Sequence, residues 1–165
     1  MSKTNINGVG VGVSVNEAQI RQDAIEAHSN GDYTCAAAVT WAIGKNLAPE
    51  MPQALHHAAA AFSTGVGGAG CLCGAISGGV LALGYFFGRC FPTTITDPQS
   101  QKTIALSYQL QDAFKARHGL LCCHALDKTQ CGQYVGDAAA LTAEIIANEL
   151  GGGVVGNKNG RNHRK

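Results

Sequence analysis

The sequence predicts an all-α protein, a single-domain bundle of about five or six helices in which a glycine-rich loop leads into a buried central helix. Three observations carry that expectation. Apolar residues recur at helical spacing in separate stretches, each opened by a capping residue or proline and closed by glycine or asparagine. The uncharged run from Cys71 to Phe87 has the glycine and alanine density of a helix buried against others. Strand-like alternation is confined to Gly and Val within residues 4–13, with no second strand to pair it. At 165 residues one domain with its own core is expected. Its parts are an irregular arm over 1–13, a helical domain over 14–151 and a flexible basic tail over 152–165.

The first helix is expected to start near Ser14, which has capping-box spacing to Glu17, and to stop at Asn30 and Gly31. Asp32 is the expected cap of a second helix, in which Cys35, Ala38, Val39, Ala42 and Ile43 fall on one face. Pro52 suits the first position of a third helix, an alanine-rich one running to Phe62. His56 and His57 are its only sizeable polar groups, and a hydrogen-bonded histidine is the expected state of whichever points inward. The Gly65 to Gly70 loop follows, then the central helix, whose Gly78, Gly79 and Gly84 would each cost about 1 kcal/mol relative to alanine in an exposed helix. Close approach of another helix or of a cofactor would offset that cost. Asp97 and Pro98 open a long helix that His118 and Gly119 close, with Leu106, Leu110, Ala113 and Phe114 as its seam. The last helix is expected to begin after Asp127 or Thr129 and to end at Gly151.

Charge excludes several function classes. Twelve basic residues against eleven acidic ones give no basic face for a nucleic acid. No charged residue occurs between Glu50 and Arg89, a length that could span a bilayer. Pro52, the histidine pair and the glycine cluster divide that run into two shorter helices, so a membrane span is not expected. Residues 1–16 hold one lysine and no continuous apolar core, so no secretory leader is expected and a cytoplasmic setting is. No nucleophile triad, paired carboxylates or phosphate loop stands out, which leaves hydrolysis and nucleotide binding without support.

Seven cysteines remain: Cys35, Cys71, Cys73, Cys90, Cys122, Cys123 and Cys131. In an unexported chain an odd number of cysteines points to metal binding or redox chemistry more than to a disulfide framework. Cys35 and Cys131 fall in or near a first helical turn, where unpaired amides and the helix dipole favour a thiolate. Taken alone, Cys35 reads better as a small buried hydrophobe. Cys73 is followed by Gly74, Ala75 and Gly78, small residues that let neighbouring backbone approach the sulfur.

These residues, a cysteine opening a helix, then Cys73-Gly74-Ala75-Ile76-Ser77-Gly78, then Cys123 and Cys131, resemble the redox-active family named after its pattern of Cys, CGAxxG, Cys and Cys. That family is similar in turn to the split-Soret cytochromes. The likeness spans Cys35 to Leu150. It implies an all-helical domain in which Cys35, Cys73, Cys123 and Cys131 converge, with Gly74 and Gly78 beside them, and a homodimer by the same analogy. Cys71, Cys90 and Cys122 depart from the pattern as additional or alternative ligands, and Cys122 could take the place of Cys123. Covalent haem is not expected, because Cys122-Cys123-His124 lacks the Cys-x-x-Cys-His spacing.

Chemistry and resemblance together lead to an iron-sulfur cluster, 4Fe-4S or 2Fe-2S, held by four dispersed cysteines and serving electron transfer or redox sensing with an unidentified redox partner. A thiol-disulfide oxidoreductase using the cysteines at helix starts is the alternative. A zinc or copper(I) thiolate protein is the third reading.

Overall fold

The structure, a computed structural model, describes residues 14–89 and 94–151. The expected arm over 1–13, the expected tail over 152–165 and Cys90 lie outside the described residues.

Seven α-helical segments and two short 3-10 turns make up the described chain, with no extended strand among the described residues. They are α1 (Glu17–Ser29), α2 (Cys35–Leu47), α3 (Gln53–Ala60), α4 (Ser63–Val66), α5 (Gly74–Phe87), α6 (Pro98–His118) and α7 (Cys131–Glu149). The 3-10 turns, Cys123–Ala125 and Lys128–Gln130, lie between α6 and α7. Three of the helix starts differ from the sequence reading, one of them α3, where Pro52 lies just outside the helix and Gln53 is its first residue. α1 is capped by Asn16, whose Oδ1 accepts the Gln19 amide at 3.1 Å, and Ser14 lies outside the helix. α2 is flanked by Thr34 instead of Asp32, which makes Cys35 its first residue. α6 begins as expected: the Asp97 carboxylate accepts the amides of Gln99 and Ser100, each at 3.1 Å.

The bundle is organised around α5 and α7. α1 and α2 pack against α7, and α5 is surrounded by α2, α6 and α7. Ile43, Ile76, Leu83, Leu110, Phe114 and Ile146 are fully buried where these helices meet. Each such side chain contributes about 1.5 to 3 kcal/mol by leaving water.

The glycines of α5 explain how the helices come so close. A methyl at Gly78 would run into the Ala36 backbone of α2, and one at Gly79 would meet Thr142 Oγ1 of α7 and Leu110 of α6. Helix contact therefore offsets the poor helix propensity at two of the three positions. At Gly84 nothing lies within 4 Å of that position, so no packing reason operates there. Among the described residues no helix is long and apolar enough to cross a membrane.

Candidate functional site

The segment before α5, α4 included, departs from helical geometry, with positive φ at Thr64, Gly65, Val66, Gly67, Gly68 and Gly70. Glycine adopts that geometry freely, whereas the branched Thr64 and Val66 do so only under constraint. The constraint comes from what the loop holds. The chain from Gly70 to Cys73 runs antiparallel to Leu121–His124, with Leu72 opposite Cys122. Cys73 donates its amide to Leu121 O at 2.8 Å, Cys123 to Cys71 O at 2.6 Å, and His124 to Gly70 O at 3.0 Å. This short ladder fixes the CGAISG segment against the second cysteine-bearing loop.

Four helical elements then start around one cavity. Cys35 is the first residue of α2, Cys131 the first of α7, Cys123 the first of its 3-10 turn, and Cys73 the residue capping α5. All four line a cavity of about 370 Å³, with Gly74, Ser63, His28, His124, Lys128 and Tyr134 also in its wall. Helix starts carry unpaired amides and the positive end of the helix dipole, which favour negative charge on sulfur and work against the burial that disfavours it.

The sulfurs also act on one another. Burial pushes the Cys73 thiol up to about 11, opposed by the amides of Ala75 and Ile76 and reinforced by Cys35 and Cys123. Burial likewise raises the Cys131 thiol, with Cys35 and Cys123 adding to the rise and Lys128 opposing it. Cys35 and Cys123 thus each couple to both of the others. Without a compensating positive charge, several thiolates cannot share this space.

Of the expected site residues, Cys35, Cys73, Cys123, Cys131 and Gly74 come together at the cavity. Cys71 and Cys122 are exposed and do not line it. Gly78 does not line it either; its missing side chain serves the crossing of α2 over α5. Among the described residues no three His, Cys, Asp or Glu side chains form a group that could hold a single metal ion. The four sulfurs are set around the cavity wall instead of about one point.

Four soft sulfur donors face the same space. Ser63, which lines the cavity, has a buried hydroxyl without a hydrogen-bond partner among the described residues. A methyl added at Gly74 would overlap Cys35 Sγ, so this part of the wall has no spare volume on the protein side.

The sequence reading missed the polar members of the wall. Lys128 Nζ lies 3.3 Å from Cys123 Sγ, although in sequence it is an ordinary turn lysine. Tyr134 stacks edge-on against His118 with ring centroids 4.9 Å apart. His118 Nε2 and Arg21 Nε in turn lie at ion-pair distance from Asp137, 3.1 and 3.0 Å, without aligned hydrogen bonds. A cluster of the buried Asp137 and His118 with the partly exposed Arg21 thus joins α1, α6 and α7. The His56 and His57 pair lines a separate cavity of about 480 Å³. His56 Nδ1 is buried there without a hydrogen-bond partner among the described residues, contrary to the expectation of a satisfied histidine.

A family model described as "Putative redox-active protein (C_GCAxxG_C_C)" matches residues 33–145. No curated protein and no solved structure matches the chain.

Proposed function

The chain belongs to the redox-active protein family named for its C_GCAxxG_C_C pattern, and from that membership we propose that it is an iron-sulfur protein of electron transfer or redox sensing. Cys35, Cys73, Cys123 and Cys131 would be the ligands, from the wall of the cavity they share. The observation that carries this reading is that four cysteines, each at the start of a helical element, line one cavity of about 370 Å³. When bound, such a cluster supplies one-electron exchange.

The chain's own groups have definite parts in this reading. The starts of α2, α5 and α7 direct positive dipole ends at the sulfurs, which offsets part of the burial that raises the Cys73 and Cys131 thiols. The Lys128 ammonium offsets negative charge on Cys123. Ser63 offers a buried hydroxyl, free to donate to an anionic group. Apolar walls from Ala75, Val135 and the Tyr134 ring restrict water, and with it the solvation that would otherwise set the potential.

The spread of the sulfurs favours a polynuclear group over zinc or copper(I). A single zinc ion would draw four sulfurs to about 2.3 Å from one centre. No described group of three such ligands is arranged that way.

The test is the iron and acid-labile sulfide content of protein purified without oxygen. Serine variants of Cys35, Cys73, Cys123 and Cys131 are expected to lose both, and Cys122→Ser to keep both. Wild-type protein that holds neither, even after incubation with iron and sulfide, would overturn the reading.

A further inference from the structure

Cys71 stands outside the cavity, yet the ladder brings it directly opposite a cysteine that lines it. Leu72 and Cys122 are the bridged pair, and the flanking bond from the Cys123 amide to Cys71 O, 2.6 Å, sets Cys71 against Cys123. Side chains alternate between faces along an extended segment, so Cys122 points away from both. Cys123 Cβ and the Cys71 amide nitrogen each lie 2.8 Å from the same point beside Gly65, which bears no side chain to separate them.

Residues opposed across a regular antiparallel pair have Cα atoms about 4.5 to 5.5 Å apart, within the disulfide range; here one of the two possible bonds joins the pair, and the Cys71 amide turns to Gly65 O at 3.2 Å. Cys73, the other cysteine on that face, is opposed to Leu121, so it stands diagonal to Cys123. Diagonal neighbours are about 7 to 8 Å apart, beyond the disulfide range. The Cys71 sulfur is exposed and makes one weak contact, to Ala69 O at 3.9 Å, so a side-chain rotation frees it. Lys128 is in place to balance charge that develops on the Cys123 sulfur.

We propose that Cys71 and Cys123 are a thiol-disulfide pair whose oxidant is a small-molecule disulfide. The Cys123 thiolate attacks one sulfur of the oxidant, forming a mixed disulfide and expelling the first thiolate. The Cys71 thiolate then attacks Cys123 Sγ, forms the protein disulfide and expels the second. Two protein thiols are oxidised, one external disulfide is reduced to two thiols, and the two protons lost by the cysteines are taken up by the leaving thiolates. The inference is independent of the iron-sulfur reading, because it uses Cys123 as a nucleophile and not as a ligand. One sulfur cannot do both at once, so oxidation would withdraw Cys123 from the cavity.

The test treats reduced full-length chain with glutathione disulfide, maps its unreduced peptides by tandem mass spectrometry, and measures iron on the same sample. The expected product links Cys71 to Cys123. It is unchanged in Cys122→Ser and absent in Cys71→Ser, where glutathione stays attached to Cys123. Wild-type chain that arrests with glutathione on a single cysteine, or that links Cys123 to Cys73, would overturn the proposal. Measured iron content keeps this outcome separate from the fate of the cluster reading.

Discussion

Gly74 lies directly against the Cys35 sulfur, so closely that a Cβ there would overlap Sγ. The first residue of α5 is thereby coupled to the first residue of α2, and the absence of a side chain at Gly74 places a thiol at the cavity.

Gly74→Ala is therefore expected to act on the site through Cys35. Alanine gains at most about 1 kcal/mol of helix propensity, whereas overpacking costs about 1 to 3 kcal/mol. Net destabilisation of about 1 to 2 kcal/mol is expected in urea unfolding. Iron content should fall further than that loss explains, because the displaced group is a proposed ligand. Full iron content in Gly74→Ala would contradict the close contact.

The other α5 glycines make a matched comparison. At Gly78 the obstructing atoms belong to the Ala36 backbone and cannot rotate away, so Gly78→Ala is expected to destabilise by about 2 kcal/mol or more. At Gly84 the space is open, and Gly84→Ala is expected to be neutral or to stabilise by up to about 1 kcal/mol. Chemical denaturation of the two variants checks the order, and equal effects would count against the assigned helix crossing.

Cys73 sets an alkaline limit on the iron-free chain. Its thiol is pushed up to about 11 by burial from an ordinary value of 9.0. The folded state therefore keeps a proton that the unfolded chain gives up from pH 9 onward. Stability from this source is complete below about 9 and is lost as pH rises to about 11, a decline of up to about 3 kcal/mol. Cys73→Ala is expected to flatten that part of the curve, although its own stability is lower. At neutral pH, alkylation should reach the exposed Cys71 and Cys122 well before the buried Cys73.

Much of the fold was legible because its signals are local. Asp97-Pro98 and Gly119 bound α6 in the structure where the sequence places them, since a cap, a proline and a left-handed glycine act within one turn. The reading went astray at α1 and α2, where two residues able to cap lie within three positions of each other and the local signal does not separate them. Of the three central-helix glycines, Gly78 and Gly79 answer to packing partners far away in sequence, and Gly84 to none.

The site was partly legible. Helix-start positions for Cys35 and Cys131 follow from periodicity and neighbouring turn residues. The placing of Cys123 on the cavity and Cys122 outside it depends on the register set by the one bridged pair, Leu72 and Cys122. Adjacent cysteines look alike until a pairing partner assigns each to a face. Lys128 and Ser63 gave no signal at all, because nothing in sequence ties a turn lysine or a loop serine to a distant thiol.

The most direct test of the central claim is a visible absorption spectrum of protein purified without oxygen, recorded before and after dithionite. Sulfide-to-iron charge transfer colours a cluster, whereas free thiols and zinc thiolates do not absorb in the visible. Broad visible absorption that bleaches on reduction, and that is missing from Cys73→Ser, is the expected result. A sample that stays colourless after reconstitution with iron and sulfide would contradict the account and leave the four sulfurs to thiol chemistry or to zinc.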